Sequence, residues 1–282
     1  MPVQWFPGHM ARARRLVQEN LKLVDVVIEL LDARIPASSR NPIIEEIAAR
    51  KPHLVVLNKE DLADPHLTRM WLQWFSARGL PALAVDSARK KDLVEVPVQV
   101  KRLAENKIAS LVARGRRPPP PRCMVVGIPN VGKSSFINAL AGSRVTRTGN
   151  RPGVTRGPQW IRLAGEVELL DTPGVLWPKF EDPRVGLKLA ATGAIKEEVF
   201  DVEEVAAWLV EWLRQSSPAS LKKRYGLEEL PSRGYEVLEL IGARRGLVGR
   251  GGRVDLYRAS IHLLKEFRDG CLGRFTLDAP PG

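Results

Sequence analysis

The stretch Gly127-Ile128-Pro129-Asn130-Val131-Gly132-Lys133-Ser134 constrains this chain more than any other. It follows Cys123-Met124-Val125-Val126, an apolar run of the length of a buried parallel strand. It precedes Ser135 to Ala141, which has helical spacing up to Gly142, a residue suited to a helix C-cap. Strand, glycine loop and helix together make a phosphate-binding loop. Gly127 and Gly132 let the backbone wrap a polyphosphate with no Cβ in the way, while successive N–H groups and the helix N-terminus supply positive potential. In such a loop Asn130, Val131, Gly132, Lys133, Ser134 and Ser135 are the nucleotide-binding positions. Lys133 reaches the β and γ phosphates, and the Ser134 hydroxyl ligates Mg²⁺. The expected fold class is therefore α/β, a mostly parallel sheet flanked by helices.

Two more strand-end loops would complete a guanine site. Leu54-Val55-Val56-Leu57 reads as a buried parallel strand, and Asn58-Lys59-Glu60-Asp61 follows it directly. An ionised Asp61 offers two acceptor oxygens that match the N1–H and N2–H₂ donors of guanine and no comparable pair on adenine. A buried acceptor pair left unsatisfied by the wrong base rejects it strongly, so Asp61 would select GTP over ATP. Asn58 would brace the loop and contact the base, and the Lys59 stem would lie across the purine face. Pro81 to Val85 reads as another strand and ends at Asp86-Ser87-Ala88, where a backbone N–H near Ala88 would donate to guanine O6.

The third phosphate contact is expected downstream. Gly149 to Gly157 is a loop rich in Gly, Pro and Arg, and Thr155 within it is the candidate second Mg²⁺ ligand and γ-phosphate sensor, with Thr146 and Thr148 as rivals. A hairpin, Gln159 to Leu163 and Val167 to Leu170, then delivers Asp171-Thr172-Pro173-Gly174. Asp171 would hold Mg²⁺, through water, and the Gly174 N–H would meet the γ phosphate.

Between these motifs, Val24 to Leu31 reads as a strand ending at Asp32-Ala33-Arg34. A break follows at Ile35-Pro36, and a helix starts at Asn41-Pro42. Leu67 to Ala77 is amphipathic, with Trp71, Trp74 and Phe75 as core, and Leu93 to Leu111 reads as one helix. Beyond Trp177 the pattern turns helical, with starts near Val185, Asp201, Ser217-Pro218, Tyr235 and Val254. Two domains are therefore expected, 1–178 built around the nucleotide and 179–282 as a small helical bundle.

Charge and composition limit the partners. The net charge is +12 over 282 residues, and 27 of the 44 Lys and Arg fall in residues 1–178 against 16 acidic residues. Residues 139–165 carry Arg144, Arg147, Arg151, Arg156 and Arg162 with no acidic residue, a run that suits a polyanion larger than a nucleotide, RNA above all. No apolar run approaches the roughly 20 residues that span a bilayer, so no membrane role is expected. The N-terminal residues lack a secretory apolar region, so the expected compartment is the cytoplasm. Cys123 and Cys271 offer neither a disulfide framework nor metal-ligand spacing. No coiled coil or long apolar edge is evident, and a monomer is expected.

In Ras-like GTPases the motifs run phosphate loop, switch threonine, Asp-x-x-Gly, Asn-Lys-x-Asp, Ser-Ala. Here Asn58 to Asp61 and Ser87-Ala88 come first, so the domain is a circular permutant. That order is permitted because the site consists of loops at the carboxyl ends of parallel strands. With Trp5-Phe6-Pro7-Gly8-His9-Met10, Asp32-Ala33-Arg34-Ile35-Pro36 and Pro152-Gly153-Val154-Thr155, the chain resembles the bacterial ribosome biogenesis GTPase A family over nearly its full length. The resemblance implies a cytoplasmic GTPase acting in late assembly of the large ribosomal subunit, with the subunit precursor and its rRNA as partners and a helical C-terminal domain. Lys133, Thr155 and Gly174 are then catalytic positions as well as ligand contacts.

One catalytic position is anomalous. Ras-like enzymes place a water-orienting glutamine after the Asp-x-x-Gly glycine, and here Val175 stands there. The resemblance offers His9 as the replacement, while a structural role for His9 in the turn after Pro7-Gly8 is the competing reading. Asn130 suggests a K⁺ ion that would offset γ-phosphate charge, as in similar GTPases with Asn at this place. The alternative to a turnover enzyme is an RNA-binding factor that uses GTP as a structural ligand. A metabolic P-loop kinase ranks below both, since it gives no reason for Asn58 to Asp61.

Overall fold

The computed structural model describes residues 15, 17–48, 51–142, 159–163, 167–171 and 182–281. Of these, the residues up to 171 together with 276–281 form one compact unit, and 182–275 a second.

The first unit is built on six strands, β1 (Val26–Asp32), β2 (His53–Asn58), β3 (Ala82–Val85), β4 (Arg122–Val126), β5 (Gln159–Leu163) and β6 (Val167–Asp171). They lie in the order β3-β2-β1-β4-β6-β5, and every pairing is parallel except β5 with β6. β1 and β2 are buried along their whole length, which is why their sequences are continuous apolar runs rather than alternating ones. Glu29, 1% exposed in the middle of β1, is held by Arg40 and His53. The chain winds outward from β1 to β3, crosses back to β4, and then builds the other side of the sheet. The strand order therefore reverses between β1 and β4, and ligands of open α/β sheets bind at the carboxyl ends flanking such a reversal.

Connecting helices are α1 (Pro36–Ser39), α2 (Pro42–Ala48), α3 (Pro65–Ser76), α4 (Glu95–Leu103), α5 (Glu105–Ala113) and α6 (Lys133–Ala141). Trp71 and Phe75 of α3 are fully buried with Leu31, Val55 and Leu57, the core role that their spacing predicts. The expected break at Ile35-Pro36 is present: Ile35 is non-helical, and Pro36 opens α1, where its missing N–H costs nothing. One expectation needs correction: the single helix over Leu93 to Leu111 is two, α4 and α5, interrupted at Ala104.

The second unit contains α7 (Pro183–Ala191), α8 (Val202–Ser216), α9 (Pro218–Tyr225), α10 (Gly234–Arg244) and α11 (Leu256–Arg268). Asp182, Asp201 and Asp255 cap α7, α8 and α11 by accepting from first-turn N–H groups. α8 contributes Val205, Ala206, Leu209, Val210 and Leu213 to the bundle core. Gly242 of α10 permits close packing, since a Cβ there would sit 2.3 Å from Val254 Cγ1. No helix among the described residues is long and apolar enough to cross a membrane.

The assignment of all of 179–282 to the helical domain fails at its end. The Leu277 N–H donates to the Arg34 carbonyl (2.7 Å), Thr276 Oγ1 accepts from the Asp64 N–H (3.1 Å), and the Asp278 carboxylate accepts from Ser38 N (2.7 Å) and Ser38 Oγ (2.9 Å). The Trp71 indole N–H donates to the Asp278 carbonyl at 3.0 Å. The final segment is thus part of the sheet-containing unit, and the helical unit is joined to that unit through both ends of its own chain.

Candidate functional site

β4 leaves the sheet centre at Val126 and passes through Gly127 to Gly132 into α6, as the spacing predicts. A Cβ on Gly127 would lie 2.4 Å from the Leu30 carbonyl oxygen of β1, so the loop must depart tight against its neighbour strand. Gly132 caps α6 at φ 98°, and a Cβ there would lie 2.4 Å from Asn58 Nδ2. Both glycines are therefore required by close approach. At the other end of α6, Gly142 is the left-handed C-cap (φ 69°), as expected. The first turn of α6 carries Lys133, Ser134 and Ser135, so their backbone N–H groups sit at the positive end of the helix.

Lys133 is 9% exposed and curls back over the loop, donating from Nζ to the carbonyls of Gly127 (3.1 Å) and Ile128 (2.7 Å). Burial pulls its ammonium down to about 8, against the opposing charge of Asp171. A buried ammonium held by two neutral carbonyls is short of negative charge, which a polyphosphate would supply.

The guanine-reading loop is bonded to the phosphate loop. Asn58, the last residue of β2, donates from Nδ2 to the Val131 carbonyl (2.8 Å) and accepts from Ser87 Oγ at Oδ1 (2.6 Å). One buried side chain thereby joins the loops after β2, β3 and β4. Lys59 bridges the same loops, donating from Nζ to the Asn130 carbonyl (2.8 Å) and to Asp32 Oδ2 (2.9 Å). Asp61 stands exposed in the following 3₁₀ turn, Glu60–Leu62. The N–H of Ala88, expected to meet guanine O6, donates to Asp86 Oδ1 at 2.8 Å.

β4 and β6 are neighbours, with Val125 opposite Asp171. Asp171, 1% exposed, ends β6 beside the loop whose helix begins with Lys133 and Ser134. A serine hydroxyl and a carboxylate, both hard oxygen donors on adjoining strand ends, fit Mg²⁺ completed by phosphate oxygens and water. Among the described residues no three His, Cys, Asp or Glu gather into a cluster that would hold a metal by itself. The structure brings together Asn58, Lys59, Ser87, Asn130, Val131, Gly132, Lys133, Ser134 and Asp171 at one end of the sheet. His9, Thr155 and Gly174, together with Arg147, Arg151 and Arg156, lie outside the described residues.

Sequence reasoning missed Asp32 and Arg34 as members of this constellation. Asp32 ends β1, opposite Asn58, and is 2% exposed. Its Oδ1 accepts from Arg34 N (3.1 Å) and Nε (2.9 Å), and its Oδ2 from Arg34 Nη2 (2.7 Å) as well as from Lys59. Burial alone would raise the Asp32 carboxyl, but the two cations outweigh it and hold it well below the usual carboxylate range. For Lys59 the balance runs the other way, and burial lowers the ammonium despite Asp32. The available signal was positional: Asp32 closes a strand of the same kind as the one that Asn58 closes.

Comparison with known proteins gives the family. A family model described as 50S ribosome-binding GTPase matches residues 122–224, a span that starts at β4 and leaves Asn58 to Asp61 upstream. The chain is 49% identical to Ribosome biogenesis GTPase A of Bacillus cereus, over 99% of this chain and 95% of that protein. It is 36% identical to Mitochondrial ribosome-associated GTPase 1 of Mus musculus, over 98% and 90%. Among solved structures, GNP-bound YlqF from T. maritima superposes with a TM-score of 0.66 at 26% identity, covering 95% of this chain and 98% of that one.

Proposed function

Because the chain belongs to the ribosome biogenesis GTPase A family, we propose that it is a GTP-hydrolysing assembly factor of the large ribosomal subunit. It binds the subunit precursor and its rRNA in a nucleotide-dependent way, as a cytoplasmic monomer. The family carries a GTPase domain, and guanine-nucleotide binding follows from membership. The observation that supports this reading best is the Asn58 side chain, whose bonds to Val131 and Ser87 make the base-reading and phosphate-gripping loops one object. A site so joined recognises base and phosphates together, and it does so although the two loops lie in permuted order in the chain.

In this reading Asp61 accepts from guanine N1–H and N2–H₂, and Asn58 and Ser87 fix that loop. Ala88 reaches O6 when its N–H turns from Asp86 to the base. Lys133 meets the β and γ phosphates, and the α6 N-terminus binds the rest of the polyphosphate. Ser134, Thr155 and, through water, Asp171 hold Mg²⁺, which when bound neutralises charge between the phosphates. The Gly174 N–H senses the γ phosphate. With Val175 at the usual glutamine position, His9 is the group assigned to orient the attacking water, and K⁺ at Asn130 is assigned the charge that an arginine finger supplies elsewhere. The basic run around Arg147, Arg151 and Arg156 is assigned to rRNA.

The test is the GTP hydrolysis rate with and without large-subunit particles, in K⁺ and in Na⁺ buffers, for the wild type and His9→Ala. Slow turnover alone, a rise with particles, a faster rate in K⁺ and a stimulated rate lost in His9→Ala are expected. A wild-type rate that particles leave unchanged supports the structural-ligand alternative. Equal rates in Na⁺ and K⁺ remove the ion, and an undiminished stimulated rate in His9→Ala removes the histidine.

A further inference from the structure

The buried pair Asp32 and Arg34 has no part in the roles just assigned, yet with the half-buried Lys59 it sits where the strand order reverses. Asp32 closes β1 beside Asn58 of β2, and the phosphate loop leaves β4 against Leu30 of the same strand. It therefore stands at the fork between the loop that reads the base and the loop that holds the phosphates. Its carboxylate grips Lys59 Nζ at 2.9 Å, and that ammonium donates in turn to the Asn130 carbonyl at 2.8 Å.

The two loops meet at strained points. Among the described residues, Lys59 (φ 61°) and Asn130 (φ 56°) are the non-glycine residues in the left-handed backbone region. Such conformations cost roughly 1–3 kcal/mol each and persist where surrounding contacts over-determine them. Here each strained residue is held by the other, through one ammonium, and the ammonium is held by Asp32. Arg34 binds the same carboxylate, through Nε to Oδ1 and through Nη2 to the Oδ2 that Lys59 also meets.

We propose that Asp32 is a positioning residue for the nucleotide. Acting through Lys59 on the Asn130 carbonyl, it fixes the separation of the base loop and the phosphate loop, so that one guanine nucleotide is gripped at both ends at once. Two contacts on one rigid frame reinforce each other, whereas two contacts on loops that drift apart do not. Loss of the frame appears as faster dissociation of a ligand spanning both loops.

The inference rests on the GTPase reading, and the control separates the two: if wild-type protein binds no fluorescent GDP analogue, that reading fails before Asp32 is tested. Given binding, dissociation of the analogue is followed by stopped flow. Asp32→Asn is expected to speed it at least tenfold. In a Lys59→Met background, itself faster than wild type, adding Asp32→Asn changes the rate less than threefold, because the group through which Asp32 acts is gone. Arg34→Met, which leaves the Asp32–Lys59 contact in place, lowers stability while keeping dissociation within threefold of wild type. Should Asp32→Asn alone be insoluble from its two unbalanced cations, Asp32→Asn/Arg34→Met is compared with Arg34→Met, and the same tenfold difference is expected. A rate unchanged by Asp32→Asn, or an Asp32→Asn effect of equal size with and without Lys59, overturns the proposal.

Discussion

Substituting Asp278 with alanine tests whether the last residues of the chain are a working part of the nucleotide-binding unit. Its carboxylate accepts from both the backbone N–H and the hydroxyl of Ser38, and Ser38 and Asp278 are each 4% exposed. Truncation would leave two buried donors at the start of α1 without their acceptor. Each such loss costs about 1–3 kcal/mol, while removal of a buried carboxylate returns part of its own desolvation. The net destabilisation should be about 3 kcal/mol. In a unit of roughly 150–250 residues, 1 kcal/mol moves the midpoint by about 2–4 °C, so a fall of about 6–12 °C is expected. Asp278→Asn retains one carbonyl oxygen for Ser38 and should lose about half as much. Ending the chain after Phe275 should cost more than either, since it also removes the acceptor of the buried Trp71 indole and the burial of Leu277, about 2 kcal/mol for the leucine. Calorimetry or tryptophan fluorescence on heating reads all three. An Asp278→Ala protein that melts within 1 °C of wild type would falsify the claim that the tail completes this unit.

Two further predictions concern the loop itself. Gly132→Ala places a methyl 2.4 Å from Asn58 Nδ2 at a backbone φ of 98°, so guanine-nucleotide affinity should fall by on the order of a hundredfold. Gly142→Ala, at φ 69° with nothing within 4 Å, should cost only about 1 kcal/mol of stability and leave affinity alone. Equal affinity losses in the two proteins, measured by fluorescent-nucleotide titration, would contradict the packing argument. The Lys133 ammonium, lowered to about 8 from 10.5 by burial, binds fewer protons folded than unfolded across that window, so this group's contribution makes stability rise as pH climbs through it. Phosphate favours the charged form. Nucleotide binding should then take up about half a proton at pH 8 and about a tenth at pH 7. Calorimetric titration in buffers of different ionisation enthalpy measures it, and no uptake at pH 8 refutes the assignment.

How much of this was legible in the sequence follows from how local each signal is. The strand, loop and helix around Gly127 to Ser134 could be read because glycine positions, a four-residue apolar run and a helix C-cap are all neighbours in the chain. The same holds for Asn58 to Asp61 behind β2 and for the Asp201 cap in the helical unit. The break at Ala104 was illegible because Leu93 to Leu111 keeps helical composition across it, and neither glycine nor proline stands at that point to mark a stop. The tail was illegible for a different reason: Asp278 and Ser38 are 240 positions apart, and nothing in Thr276-Leu277-Asp278 differs from an ordinary polar terminus.

Asp32 falls between these cases, and its position shows what a permuted order changes. In the sequence the Asp32-Ala33-Arg34 turn is a strand end and a mark of the family resemblance, with no ligand contact attached to it. The sheet gives it another meaning. With β1 between β2 and β4, its carboxyl end lies between the strands that lead into the base loop and the phosphate loop, whatever the order of the chain. An apolar residue there would take from the half-buried Lys59 ammonium the carboxylate it donates to, and a cation would repel it, so the position calls for an acid. That acid needs a second cation against it, since a buried carboxylate with spare acceptor capacity is costly, and Arg34, two residues on, supplies three donors. The turn is thus deducible from topology and charge together, although not from either alone.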